Sequence, residues 1–427
     1  MTNTPRPKSR SRRSVLLTEA ASTSARQTLY ALGRMGHTID VCDPQRLCLG
    51  RFSRYVRRWH RCPSFTADPV GYVEFLLDLL DHGSYDVLFP VHDQVYLLSR
   101  FRETLGRRVG VALPEFRSVE RVQSKVQFAR LLDEVGLPHP RTEVVPTADG
   151  LDAAWDYPCY VKLEYSTAGR GVWRVENAEQ MREVAREVRG LASGFDEPLP
   201  LVVQQPAAGA FHAVQAVFRH GDLAAAHCYR GRAVGVGGSF HGREGLRHPF
   251  VLDDVARLGA ALGWHGAIHA EYFLDEAGRP TYIEANPRIG ETLNATLSGV
   301  NLSEALVRVS LDEPVEAPAA IREGIKTHAV MMGVMAAAER GEGRRAIAAE
   351  LWRAWRHRGV YADSQDELTR PREDPWSLLP AAFVTSQLLF RPGVVRRIVR
   401  RAVENYGLDA AAVRRIAALP AEALEAR

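Results

Sequence analysis

The run from Ala270 to Arg288 places two carboxylates, an amide and a guanidinium on what reads as a hairpin: Glu271, Glu284, Asn286 and Arg288. Glu271 lies in an apolar-polar alternation that predicts a strand, Glu276-Ala277-Gly278 predicts the turn, and Thr281 to Ala285 predicts the returning strand. Strand side chains repeat with period two, so Glu284 and Asn286 share a face that Glu271 on the neighbouring strand can join. Hard divalent cations want oxygen ligands, and magnesium in nucleotide enzymes usually takes one or two carboxylates plus phosphate oxygens and water. The pattern therefore predicts a magnesium (or manganese) nucleotide site with Glu271, Glu284 and Asn286 as metal ligands. Arg288 could lay a fixed fork of donors against a phosphoryl or acyl-phosphate oxygen. The competing interpretation is a surface hairpin with solvated charges, but Asn-Pro-Arg directly after an apolar strand has no packing purpose.

A second cluster lies upstream. Tyr157 to Leu163 reads as a short buried strand carrying Lys162, and Glu164 to Val172 as a small-residue loop bearing Gly169 and Gly171. Backbone N–H groups of such a loop make an anion-binding concavity, and a lysine on the adjoining strand adds a point charge. By itself the signal equally describes an ordinary strand end and turn. Lys125 falls on a helix predicted to stop at Gly136, where a plain solvated lysine is the alternative.

Taken in order, these features resemble the ATP-grasp superfamily, which includes D-alanine-D-alanine ligase, biotin carboxylase and the large subunit of carbamoyl-phosphate synthetase. The resemblance runs from about Ser118 to Ser310. It consists of Lys125 before Val135-Gly136-Leu137-Pro138, Val161-Lys162 with its glycine loop, Val202-Val203-Gln204-Gln205 leading to Gly209, and the block from Glu271 to Arg288. It implies an ATP-grasp fold of mixed α/β and α+β type, with ATP gripped between two subdomains. Carried over, Lys125 and Lys162 hold the phosphates beneath Gly169 and Gly171, and Gln204 and Gln205 lie at the hinge strand near adenine. Glu271, Glu284 and Asn286 bind the metals, while Arg288, with Lys162, steadies the transferred phosphoryl group. Many relatives carry a glutamate for the ribose just after the glycine equivalent to Gly209, whereas this chain has Ala210-Phe211-His212. His212 is either its substitute or a half-exposed filler.

The implied activity is ATP-dependent ligation, in which a carboxylate is activated as an acyl phosphate and then coupled to an amine. Phosphoryl transfer asks mainly for positioning and charge neutralisation, which lysines, an arginine and metal carboxylates supply. No serine-histidine-acid or cysteine-histidine arrangement suggests a covalent intermediate. The alternatives are a bicarbonate-activating enzyme like carbamoyl-phosphate synthetase or biotin carboxylase, and a non-catalytic nucleotide-binding module. The expected partners are a small-molecule carboxylate and an amine, without nucleic acid, and the chain is compatible with a homo-oligomer. Substrate recognition falls to Gly237–His248, whose glycines suggest a mobile loop and whose Arg243 and Arg247 could clamp a carboxylate; a solvated connector is the other interpretation.

Four regions must position these residues. Residues 1–13 form a basic, Pro/Ser-rich tail expected to be disordered. Residues 14–113 predict a Rossmann-like pre-ATP-grasp domain: strand Val15 to Thr18, a cap at Ser22-Thr23-Ser24, a helix from Ala25 to Met35, strand Thr38 to Cys42, and a further parallel strand at Tyr85 to Val91. His92 and Asp93 come directly after that last strand, as pocket residues or as a helix cap. The loop after the first strand lacks Gly-x-Gly-x-x-Gly, which disfavours a nicotinamide enzyme. Residues 114–312 form the ATP-grasp region, and 313–427 a mostly helical C-terminal appendage. There, Ser377 to Phe390 is too short to span a bilayer. Val394 to Arg401 predicts a basic amphipathic helix, for contact with an anionic membrane surface or a partner, or else packed with its arginines solvated.

The chain of 427 residues, 46% hydrophobic and 25% charged, suffices for two or three domains, and its net charge of +4 is modest. Ser11-Arg12-Arg13-Ser14 resembles a twin-arginine export signal, but the stretch Thr18 to Thr23 is too polar for the apolar segment such a signal needs, so a cytoplasmic location is expected. The five cysteines lack C-x-x-C spacing, which argues against a disulfide framework or a zinc site.

Overall fold

The computed structural model describes residues 12–420 except 168, 196 and 342, so most of the expected tail lies outside the described residues. The N-terminal sheet is parallel and ordered β3-β2-β1-β4, from β1 (Ser14–Leu17), β2 (Thr38–Cys42), β3 (Val56–His60) and β4 (Val87–Phe89). The helix Thr23–Arg34 crosses from β1 to β2, and its first turn is capped by Ser22 Oγ accepting from the Ala25 N–H at 3.0 Å. Every strand of this sheet ends toward one rim, where His92 and Asp93 lie just past β4.

A smaller antiparallel sheet, ordered β5-β8-β6-β7, comprises β5 (Thr142–Val145), β6 (Cys159–Leu163), β7 (Val172–Val175) and β8 (Leu201–Gln204). It has a core of its own, in which Val161, Val175, Leu201 and Val203 pack on Met181, Ala185 and Val188 of the helix Ala178–Ala192. The third sheet is ordered β13-β12-β9-β10-β11-β14-β15. Its strands are β9 (Ala210–Arg219), β10 (Asp222–Val234), β11 (Phe240–Leu246), β12 (Gly266–Leu274), β13 (Pro280–Asn286), β14 (Lys326–His328) and β15 (Ser364–Asp366).

Two expectations change here. The segment 237–248 is largely strand β11, paired on one side with β10 and on the other with β14, and is not a mobile loop. Its glycines serve close approach: a Cβ on Gly245 would stand 2.7 Å from Ser298 Oγ, and one on Gly242 2.3 Å from Val360. The C-terminal region is mostly helical, with helices Val330–Glu339, Gly343–Trp355, Leu378–Phe390, Val395–Tyr406 and Ala410–Ala417, but it also extends the large sheet through β14 and β15. Its last helix returns to the body, where Leu408, Ala412, Val413 and Ile416 enter the core shared by the N-terminal and large sheets. No helix among the described residues is long and apolar enough to cross a membrane. All five cysteines are free and buried.

Candidate active site

The small sheet faces the large one across a narrow cleft lined by Lys125, Lys162, Gln204, His139 and the apolar Phe128, Leu132, Val202 and Ile283. Strand periodicity points Lys162 into it from β6, where its Nζ donates to Gln204 Oε1 at 2.7 Å. Burial lowers the Lys162 ammonium to a pKa of about 8 despite the attraction of Glu284. Lys125 opens the helix Lys125–Val135, which stops at left-handed Gly136 as expected. The Lys125 Nζ donates to the Ser166 carbonyl at 3.2 Å and lies 3.7 Å from Glu284 Oε1. The glycine loop follows Lys162 in the chain and meets Lys125 through that Ser166 carbonyl, with Gly169 and Gly171 at φ of 72° and 67°. Apolar walls beside two ammonium groups suit a flat heterocycle carrying phosphates. The free volume is only about 10 Å³, enough for one water, so entry of a nucleotide requires the two sheets to part.

Gln204 and Gln205 are successive residues at a strand end and turn opposite ways. Gln204 lines the cleft, while the Gln205 side chain donates to the Asp156 carbonyl at 3.1 Å and lines a separate pocket with Arg141 and Trp155. Of the two residues expected at the hinge strand, only Gln204 turns its side chain into the cleft. His212 also turns away: it stacks on Tyr272, on the face of the sheet opposite Glu271, and its Nδ1 lies 2.9 Å from the Ala210 carbonyl.

On the large sheet, β12 and β13 pair so that Glu271 stands directly opposite Glu284, and Asn286 opposite His269. Burial and the facing Glu284 push the Glu271 carboxyl up to about 7, the signature of a carboxylate pair short of positive charge. Among the described residues no three His, Cys, Asp or Glu side chains gather as a metal cage. Two carboxylates and an amide match instead a cation that completes its shell with phosphate oxygens and water, as magnesium does.

Arg288 links this edge to the N-terminal domain. Its Nη2 donates to Asn286 Oδ1 at 3.2 Å, its Nη1 contacts His92 Nε2, and its Nε lies 3.3 Å from Asp93 Oδ1. Burial and the guanidinium both lower the His92 pKa, against the pull of Asp93, and the ring turns Nε2 to Arg288 and Nδ1 to Asp93 at 3.2 Å. The second oxygen of Asp93 accepts from Thr167 Oγ1 at 3.2 Å and from the Leu408 N–H at 3.3 Å. One buried carboxylate thus joins Arg288, the glycine loop and the C-terminal helices.

Beyond Arg288 the same face of the large sheet carries a buried polar patch. Arg243 on β11 lies over the Tyr229 ring, 3.4 Å from Glu291, and pairs with Glu367. Glu291 accepts from Thr23 Oγ1 at 2.8 Å at the start of the first helix, and Gln27 of that helix donates to Glu367 at 3.0 Å. Burial works against the Glu291 charge, but Arg243 and Thr23 outweigh it and hold its carboxyl down, at about 2. Gln215 donates to the carbonyls of Ile289 and Glu291 at 2.6 and 3.0 Å and fixes the loop. Gly290 there has φ of 68°, and a Cβ on it would stand 3.0 Å from that amide. Arg247, four residues on from Arg243, is exposed beyond the end of β11 and does not join the patch. Glu291, Tyr229, His269 and Glu367 were absent from the sequence expectation. Only Glu291, three residues after Arg288, carried a local signal.

Two lobes meeting over a cleft with lysines on one side and facing carboxylates on the other define a class of nucleotide-gripping α/β proteins. The fold is the ATP-grasp fold. The ATP-complexed carboxyaminoimidazole ribonucleotide synthase of Aspergillus clavatus superposes with a TM-score of 0.60 at 17% identity, covering 88% of this chain and 99% of that one. The L-amino acid ligase of Bacillus licheniformis gives 0.57 at 18% identity, covering 74% and 80%. In sequence, the formate-dependent phosphoribosylglycinamide formyltransferase of Ignicoccus hospitalis is 24% identical over 335 residues, 72% of this chain and 80% of that one. Pyruvate carboxylase 1 of Caenorhabditis elegans is 26% identical over 208 residues, and this match spans only 17% of that protein. No family model matches the chain.

Proposed function

We propose that this protein is an ATP-dependent ligase that activates a small-molecule carboxylate as an acyl phosphate and couples it to an amine. The observation that carries the proposal is the facing Glu271–Glu284 pair, set across the cleft from Lys125 and Lys162 and adjoining Arg288. Lys125, Lys162 and the Gly169–Gly171 loop hold the phosphates, and Gln204 borders the adenine. Glu271, Glu284 and Asn286 hold magnesium, which when bound neutralises phosphate charge as the phosphoryl group moves. Arg288, fixed by Asn286, His92 and Asp93, sets its positive charge and the remaining N–H of each Nη beside the transferred phosphoryl group. The acid lies between Arg288 and Arg243, and the amine enters from the rim of the N-terminal sheet. Arg243 is committed to Glu291 and Glu367, so it orients that region as part of an ion-pair cluster and is not a free clamp.

The test is phosphate release from magnesium-ATP across a matrix of amino acids, small acids including bicarbonate, and amines. Release that requires one acid and one amine together supports ligation. Release with bicarbonate and no amine assigns carboxyl activation of another kind, and nucleotide binding without release under any pairing contradicts an enzyme.

A further inference from the structure

The C-terminal helices carry a surface that ligation does not use. The helices Gly343–Trp355 and Leu378–Phe390 pack on each other, with Arg344 near the start of the first donating to the Phe390 carbonyl at the end of the second at 2.8 Å. From that contact they run roughly antiparallel. The Leu378–Phe390 stretch contains no charged residue, yet Leu388 is its only fully buried side chain. Leu379, Phe383 and Phe390 recur at helical spacing and are 48%, 53% and 76% exposed; Trp352 and Trp355 on the neighbouring helix are 47% and 73% exposed. Large apolar side chains grouped in this way mark an interaction surface.

Along the two helices themselves the exposed charges have one sign. Between Gly343 and Arg358 the only acid is Glu350, which is buried and accepts from Tyr361 and Arg353 at 2.5 and 2.8 Å. Between Trp376 and Val403 there is none. Arg356 and Arg358 stack on Trp355 and Trp352 at 5.6 and 4.9 Å, and Arg391 is exposed beside Phe390. A second copy of the chain joined helix to helix across a two-fold axis would set arginine against arginine, because neither helix carries an exposed acid, which disfavours self-association. An anionic lipid surface answers both features: acyl chains take the leucine and phenylalanine side chains, tryptophans suit the headgroup boundary, and arginines meet lipid phosphates. We propose that the antiparallel pair Gly343–Trp355 and Leu378–Phe390 docks this protein on an anionic membrane surface. The contact is peripheral and does not depend on the ligase assignment. It moves the membrane-facing role expected of Val394 to Arg401 onto the two preceding helices, with the exposed Arg396, Arg397, Arg400 and Arg401 next in the chain.

The test is co-sedimentation of the full chain with vesicles of phosphatidylcholine alone and of phosphatidylcholine with phosphatidylglycerol in equal amounts. The expected result is sedimentation only with the anionic vesicles. The double variant Trp355→Ser, Phe383→Ser alters two exposed side chains, and should lower partitioning about tenfold or more while thermal unfolding stays at the wild-type temperature. Absence of wild-type binding, equal binding to both vesicle types, or unchanged binding of a folded double variant would overturn the proposal. So would sedimentation velocity showing a wild-type dimer that the double variant converts to monomer, because a second copy would then own the face.

Discussion

Replacing Asp93 by Asn removes the charge that joins Arg288 to the glycine loop, and the surroundings of the carboxylate set the size of the effect. Asp93 is fully buried. Burial alone raises its pKa, but His92, the Arg288 guanidinium and the Leu408 N–H outweigh it and hold the carboxyl at about 2, against 3.8 for a free one. A downward shift of about two units corresponds to roughly 2.5 kcal/mol at about 1.36 kcal/mol per unit. Because the folded pKa is the lower one, this stabilisation is complete above pH 3.8 and lost as pH falls through about 2. Asparagine also presents an NH2 where both oxygens now face donors, so the expected cost at pH 7 is about 2–5 kcal/mol. Urea unfolding at pH 7 measures it. Arg288 loses its anchor while Lys125 and Lys162 keep theirs, so turnover should fall further than nucleotide affinity. A variant within about 0.5 kcal/mol of wild type, or one that loses nucleotide affinity while keeping turnover, would refute the reasoning.

Lys162→Ala should weaken ATP binding by roughly one to two decades, the worth of one charge-assisted contact, and leave acid affinity nearly unchanged; titration calorimetry decides, and unchanged nucleotide affinity would remove Lys162 from the site. Arg243→Ala strands Glu291 and Glu367 in the interior and should destabilise by about 3–5 kcal/mol, whereas Arg247→Ala should leave stability and kinetics near wild type. Equal effects of the two substitutions in urea unfolding would contradict the patch. Burial lowers the His227 pKa from 6.5 to about 4, against its hydrogen bond to Asn294, so its contribution is full above pH 6.5 and lost as pH falls toward 4. Lowering the pH from 7 to 5 should therefore cost about 2 kcal/mol at this residue, and His227→Asn should flatten that part of the stability profile.

Much of the site was visible in local spacing. The hairpin that brings Glu271 against Glu284 arises from period-two alternation and a Gly-bearing turn, and the helix carrying Lys125 ends where Gly136 supplies the left-handed cap. The opening parallel unit, with Ser22 as cap, was readable for the same reason. What escaped depended on distant partners. Strand β11 is held on one side by β10 and on the other by β14, three residues long and supplied by the C-terminal region, so its glycines gave a false signal of mobility. Glu367 reaches Arg243 across 124 positions, a pairing that no local pattern encodes. Gln205 was placed by its neighbour Gln204, although strand geometry sends adjacent side chains to opposite sides. Ser377 to Phe390 read only as an apolar run too short to span a bilayer, because composition does not tell a covered helix from an uncovered one.

The most direct test of acyl-phosphate chemistry traces the oxygen atoms. The acid selected by phosphate release is labelled with oxygen-18 in its carboxylate and turned over with magnesium-ATP and the amine. Attack of that carboxylate on the γ-phosphorus carries one labelled oxygen into inorganic phosphate when the amine displaces it, and the Glu284→Gln variant, short of one charge at the proposed metal site, should produce neither labelled phosphate nor ADP. Phosphate free of label during wild-type turnover, or wild-type rates of ADP formation by Glu284→Gln, would contradict the account.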